Sequence, residues 1–256
     1  MLFSKEQLDF TRDGKRISGE LLLPDGSRPF PLVILSHALG ATRETMRHYA
    51  EAFAGNGIAS YIFDFIGGGS FIGSDGKTTE MSVLTEACDL NVILDGLRSR
   101  DDMDKDRIFL CGGSQGGFVS TYIACKRPED IAGLIPLYPA YIIHDDCRMR
   151  HPDPEDIPET EEILGVNLGR IYTKDALSFD IFDMMKDYKG KVLIIHGDRD
   201  LIEPLSYSEK AVKLFPDARL EVIKGADHGF IGEQEEQAVS MAADFIKGII
   251  QADRGI

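Results

Sequence analysis

The chain has 256 residues, a length that suits one large α/β domain able to bury most of its unfolded surface without a disulfide or metal staple. Its composition, 43% hydrophobic and 28% charged, excludes a disordered or fibrous chain. Twenty-eight basic residues against 43 acidic give a net charge of −15, which repels phosphate backbones and anionic membranes, so neither nucleic acid nor membrane is expected as a partner. No apolar run approaches the roughly 20 residues needed to span a bilayer. The stretch Met1 to Gln7 turns polar at once and has no signal-peptide core, so a soluble, cytoplasmic protein is expected. Cys88, Cys111, Cys125 and Cys147 match neither a zinc knuckle nor a disulfide framework and read as free thiols.

Two strands open the chain, Leu8 to Arg12 and Arg16 to Leu23, on either side of Asp13-Gly14, a strong two-residue hairpin signal. Short apolar runs follow, beginning at Pro31, Ala59, Arg107, Ala132, Val192 and Leu220. They have largely lost polar alternation, as strands buried on both faces do. Helical periodicity fills the intervals near 43–55, 83–99, 116–127, 206–215 and 234–251. In the second of these, Val83, Leu84, Ala87, Leu90, Leu94 and Leu97 line one face. The order predicts a single α/β domain over residues 1–256, built on a mostly parallel, doubly wound sheet with helices on both sides. Residues 141–189 break the alternation. This stretch is acidic, carries Pro152, Pro154 and Pro158, and reads as an inserted cap without a convincing buried strand.

The run Ile108-Phe109-Leu110-Cys111-Gly112-Gly113-Ser114-Gln115-Gly116-Gly117 takes a buried strand into Gly-x-Ser-x-Gly and then a helix. That is the setting of a nucleophile elbow, where side chains on either side of the serine would collide and glycine is needed. Ser114 then stands at the carboxyl edge of the sheet, over a helix N-terminus whose amides favour developing negative charge. A serine needs a base. Of the six histidines, His48, His144 and His151 read as solvated and His196 as shaping its turn, while His37 lies near the expected oxyanion loop. His228, in the loop after the last strand, is the base of choice. The loop His196-Gly197-Asp198-Arg199-Asp200 offers the acid, with Glu203 close behind, and the residues alone leave Asp198 and Asp200 both open. The oxyanion hole falls to the backbone amides of Gln115, after the nucleophile, and Leu39, in the loop Ser36-His37-Ala38-Leu39-Gly40. The one Gly76-Lys77-Thr78 is not a P-loop, because Phe71 stands where that pattern needs its first glycine.

On the elbow Gly112-Gly113-Ser114-Gln115-Gly116-Gly117, the acid loop and the base loop Gly225-Ala226-Asp227-His228, the chain resembles the α/β-hydrolase superfamily over nearly its whole length. Within it, Ser-Gln-Gly-Gly at the elbow, Phe63-Asp64-Phe65, Ser74-Asp75-Gly76-Lys77 and Met81-Ser82-Val83-Leu84-Thr85-Glu86 are similar to the small bacterial feruloyl and cinnamoyl esterases. The resemblance implies an α/β-hydrolase sheet with a cap inserted after the sixth core strand. It favours Asp200 as the acid, and it places Asp146 and Tyr172 of the cap at the phenolic end of the substrate, with Asp145 adjacent to Asp146. His37-Ala38 departs from the usual His-Gly of those enzymes, Leu39 is often aromatic there, and the loop Gly67 to Gly73 is more glycine-rich.

The expected function is hydrolysis of small esters, hydroxycinnamoyl esters foremost, through an acyl-enzyme on Ser114 with His228 and Asp200. Other short-chain esterase, thioesterase or peptidase activity could use the same residues, and a non-catalytic binding protein could share the fold. No cofactor and no metal is expected. The partner is a small-molecule ester, and homodimerisation stays open.

Overall fold

The computed structural model describes residues 3–253. Phe3–Gln7 (β1) opens the chain, and Met1 and Leu2 lie outside the described residues. Phe10–Arg12 (β2) and Lys15–Ile17 (β3) form a two-stranded ribbon around Asp13 and Gly14, whose φ values of 53° and 78° are those of a type I′ turn. Gly19–Pro24 (β4) follows and pairs antiparallel with β1. The hairpin signal at Asp13-Gly14 is therefore real, but its two arms divide. The near halves pair with each other, the far half of the second arm joins the main sheet as β4, and Leu8 and Asp9 of the first arm lie between strands. The sequence reading missed β1 because its pattern has no sustained apolar alternation: it is an edge strand with mostly exposed side chains.

The remaining core strands are Phe30–Ser36 (β5), Ala59–Phe63 (β6), Met103–Gly113 (β7) and Gly133–Leu137 (β8). Thr160–Ile163 (β9) and Val166–Gly169 (β10) form a separate hairpin, and Lys191–Gly197 (β11) and Ala218–Ile223 (β12) complete the main sheet. Its order is β1-β4-β6-β5-β7-β8-β11-β12, with β1 and β4 antiparallel to their neighbours and every pair from β6 onward parallel. Parallel strands need covered faces. Arg47–Gly55 (α1) and Glu233–Asp253 (α7) pack on one face; Val83–Arg98 (α2), Gln115–Lys126 (α3) and Leu205–Leu214 (α6) pack on the other. Buried Leu, Ile, Val and Phe from successive strands divide between these two layers, since alternate side chains point to opposite faces.

Helix α2 begins on a reciprocal capping box between Ser82 and Thr85. Its predicted apolar stripe is buried except Leu84, which is partly exposed, but the buried face also holds Glu86 and Asp89. Asp89 answers to Arg12, whose Nε lies 2.5 Å from Oδ1, and accepts the Ile66 N–H on Oδ2. Between β8 and β11 the chain forms Ile143–Arg150 (α4), the β9–β10 hairpin and Arg170–Leu177 (α5), then two short turns of 3₁₀ helix. The hairpin turns on Leu164 and Gly165, both at positive φ. No described helix is long and apolar enough to cross a membrane.

Candidate active site

The site is assembled at the carboxyl ends of β5, β7, β8 and β11. β7 runs directly into Ser114, whose φ of 51° and ψ of −119° mark the strained turn that an elbow demands. A Cβ on Gly112 would stand 2.4 Å from the Gly116 backbone, and one on Gly116 would stand 2.3 Å from the Ser36 carbonyl. Glycine is thus obligatory on both sides, for two different reasons: Gly112 meets the turn itself, and Gly116 meets the end of β5. The turn is tied down by the Ser114 N–H donating to Leu137 O at 2.9 Å and by the Ala140 and Phe118 N–H groups donating to Ser114 O.

Ser114, His228 and Asp200 are brought together in one hydrogen-bonded row. His228 Nε2 lies 3.0 Å from Ser114 Oγ, and Nδ1 lies 2.8 Å from Asp200 Oδ2. Asp200 Oδ1 accepts the N–H groups of Ile202 and Glu203 at 2.9 and 2.8 Å, and Oδ2 lies 3.3 Å from His196 Nε2. Burial by itself would raise the Asp200 pKa. The hydrogen bonds from His196, His228 and the Glu203 amide outweigh it and hold the carboxyl well below its ordinary range. Asp198 plays another part: its Oδ1 accepts the Gly225 N–H at 2.5 Å, fixing the start of the His228 loop from outside the row. Tyr138, unremarked in the sequence, packs its ring edge-to-face on the His228 imidazole at 5.0 Å and on Phe230 at 4.9 Å.

The other histidines sort cleanly. His37 is buried: Nδ1–H donates to Ala38 O at 2.8 Å and Nε2 accepts the Phe65 N–H at 3.1 Å, which defines a neutral tautomer. Burial also pushes its pKa down. It stitches the loop carrying Leu39 to the loop after β6, and Gly40 N–H donating to Gly68 O at 3.0 Å adds a second stitch. His196 lies between Ser208 Oγ and Glu203 O, shaping its turn. His48 lies near Glu235 and Glu236 at the surface, and His144 near Asp145. His151 is not solvated as the sequence suggests; its Nε2 pairs with Glu161 at 2.9 Å, both side chains largely buried.

Above Ser114 opens a cavity of about 420 Å³, the size of a small-molecule site. Leu39 and Gln115 line it beside Ser114. Gln115 is the first residue of α3, so its amide has no acceptor within the helix. Apolar walls come from Ala140, Ile142, Ile143, Ile163, Leu164, Leu201 and Ile202. Asp146, Arg150, Glu162, Tyr172 and Glu203 supply the polar lining. Asp146 therefore lines the cavity, paired with Arg150 Nε at 3.0 Å, whereas Asp145 is turned to the Tyr207 hydroxyl at 2.9 Å. Arg150 also pairs with Glu161, which holds the Thr173 hydroxyl and His151, so one carboxylate clasps α4, β9 and α5. Tyr172 is buried with its O–H donating to Gln115 Oε1 at 2.8 Å, while Gln115 Nε2 donates to Glu86 Oε2 at 2.8 Å. Burial drives Glu86 well above the usual carboxyl range. Among the described residues, no group of three or more His, Cys, Asp or Glu side chains is arranged to hold a metal ion.

Fold and site together define an α/β-hydrolase. Residues 27–174 match the family described as serine aminopeptidase, S33, and the chain belongs to that family of hydrolases. Among proteins of curated function, none matches by sequence. The solved structure of Est1E from Butyrivibrio proteoclasticus, with ferulic acid bound, is similar at 24% identity over 97% of this chain and 100% of that one, with a TM-score of 0.85. The monoacylglycerol lipase of Paleococcus ferrophilus is similar at 20% identity, 97% and 100% coverage and a TM-score of 0.68. The dienelactone hydrolase of Anabaena variabilis is similar at 17%, 97% and 99%, with a TM-score of 0.70. At these identities the likeness is one of fold.

Proposed function

We propose that the protein is a serine carboxylesterase acting on small esters, with hydroxycinnamoyl esters such as ferulates and p-coumarates as its substrate class. The observation that carries this reading is the row Ser114 Oγ–His228 Nε2–Asp200 Oδ2, at 3.0 and 2.8 Å, on the floor of a cavity of aromatic-ester size. His228 accepts the Ser114 proton as the serine oxygen attacks the ester carbonyl. The amides of Leu39 and Gln115 hold the tetrahedral oxyanion, each worth about 3 kcal/mol of transition-state stabilisation. His228 then protonates the departing alcohol, and later takes a proton from the water that releases the acid. Asp200 keeps the imidazole in the required tautomer throughout.

In this reading residues 141–189 are the cap. Its Asp146 accepts the one proton of the phenolic hydroxyl, and Tyr172, whose own proton is committed to Gln115, packs beside the phenolic end. The fold likeness to a structure holding ferulic acid supports the size and class of ligand. A second reading, removal of an N-terminal amino acid, is favoured by the family description and by Asp146 and Glu162, which could hold an ammonium. Methyl ferulate, methyl p-coumarate, short p-nitrophenyl esters and aminoacyl p-nitroanilides, given to wild type and Ser114→Ala side by side, decide the matter. The proposal expects kcat/KM on the hydroxycinnamates to equal or exceed that on the p-nitrophenyl esters, with Ser114→Ala inactive. Turnover of the p-nitroanilides in preference to the esters would transfer the assignment to the peptidase reading.

A further inference from the structure

Glu203 is an unusual residue to find in the wall of this cavity. It sits 4% exposed, three residues after Asp200, at the start of the turn into α6. Its main chain is part of the catalytic scaffold: the N–H donates to Asp200 Oδ1 at 2.8 Å, and the carbonyl accepts from His196 Nε2 at 2.8 Å. Its carboxyl is nearly unprovided for. Among the described residues the single hydrogen bond it receives is from the Ile142 N–H at a long 3.4 Å, and no cation pairs with it. The cation that shares the cavity, Arg150, is taken by Asp146 and Glu161. A buried carboxylate left in this condition is costly, whereas a buried carboxylic acid needs only one acceptor for its proton.

Resting on the esterase reading above, we infer that Glu203 is a specificity-determining residue whose carboxylic O–H donates a hydrogen bond to an acceptor oxygen, such as an aryl ether, on the substrate. With Asp146 on α4 as an acceptor, the cavity then asks for a ligand bearing a hydrogen-bond donor and an ether-type acceptor, and it turns away free carboxylates. The surroundings hold the acid in its neutral form. Burial pushes Glu203 up to about 9, and the charges of Asp200 in its own loop and Asp146 on α4 push the same way. The other ionisable groups facing this region are Arg150 on α4, Glu162 on β9, Tyr172 on α5, Tyr207 on α6 and His196 at the end of β11. The hydrogen bond from the Ile142 N–H opposes the rise without overcoming it, and the charge of Arg150 is met by two carboxylates.

The test uses methyl 3-methoxycinnamate and methyl 3-ethylcinnamate, which leave the ring position facing Asp146 unsubstituted and differ by an ether oxygen in place of a methylene. The wild type, Glu203→Gln and Glu203→Leu are each assayed from about pH 6 to about pH 10. Wild type is expected to prefer the methoxy ester by about three- to tenfold below pH 9, and to lose that preference as Glu203 ionises. Glu203→Gln, which keeps a neutral donor, should retain it across the whole range, and Glu203→Leu should lack it throughout. Equilibrium binding of the same two esters to Ser114→Ala, with and without Glu203→Gln or Glu203→Leu, reads the hydrogen bond without turnover. If the hydrolytic reading fails, the binding preference still reports on Glu203. Equal preference in all three proteins, or a preference in wild type that does not change with pH, overturns the inference.

Discussion

The floor and the roof of the cavity are held by different physics. The floor, carrying Ser114, Asp200 and His228, is set by strand ends and tight turns, with main-chain amides aimed at fixed acceptors: Leu137 O for Ser114 N–H, and Asp200 Oδ1 for two N–H groups of its own loop. The roof, α4 with the β9–β10 hairpin and α5, is joined by side chains, chiefly Arg150, His151 and Thr173 around Glu161. Short-range main-chain geometry leaves little freedom and suits chemistry that tolerates no misplacement. Side-chain clasps do not fix the course of the main chain, so their members can be exchanged as the ligand changes. In the proposed reading the reaction is lodged in the rigid floor, and the ester is chosen by the replaceable roof together with Glu203 at the floor's edge.

Substitutions on the floor should be the most severe. Ser114→Ala is expected to lower kcat by about a million-fold, measured on any ester the wild type turns over. Asp200→Asn should lower it by about 10,000-fold, because the amide stabilises the wrong imidazole tautomer. Asp198→Asn, which only loosens the Gly225 contact, should stay within about tenfold of wild type, and a larger loss would show that the two aspartates share the acid role. Gly116→Ala would force a methyl against the Ser36 carbonyl and should cost about 2–3 kcal/mol in chemical denaturation.

Roof substitutions should separate substrates and leave the chemistry running. Arg150→Met frees Asp146 and Glu161, and is expected to lower kcat/KM about tenfold on hydroxycinnamates through KM, with a smaller effect on p-nitrophenyl acetate. An equal loss on both substrates would break the distinction between floor and roof. A last prediction concerns the pH dependence of stability. Glu203 stays protonated in the fold up to about 9, while in the unfolded chain it ionises near its ordinary 4.5. Between those values the native state holds a proton that the unfolded state has released, so this residue makes stability fall as pH rises. The Tm advantage of Glu203→Gln over wild type should therefore grow from about pH 5 to about pH 9; a constant difference would contradict the buried, neutral carboxyl.

The same contrast explains what the sequence could tell. Buried parallel strands advertise themselves by losing polar alternation, and Gly112-x-Ser114-x-Gly116 between such a strand and a helix is a local pattern with a local cause. His228 followed from its place after the last strand. The residues alone did not choose between Asp198 and Asp200, because both stand in one loop; the resemblance favoured Asp200, and the fold shows Asp198 occupied by Gly225. The roof was still less legible. Tyr172 meets Gln115 across 57 positions and Arg150 meets Glu161 across 11, and no periodicity signals either pairing. Glu203 was visible as a third acid in the loop, but its burial in the cavity wall was not. Tyr138 carried no signal at all beyond lying after β8.

The central claim is that Ser114 is the nucleophile, made reactive by His228. Intact-mass and peptide mass spectrometry after treatment with a fluorophosphonate test it most directly, in wild type, Ser114→Ala and His228→Ala. The account predicts a single phosphonyl adduct on the peptide containing Ser114 in wild type, none in Ser114→Ala, and labelling slowed by orders of magnitude in His228→Ala. An adduct on another residue, or labelling of His228→Ala at the wild-type rate, would contradict it.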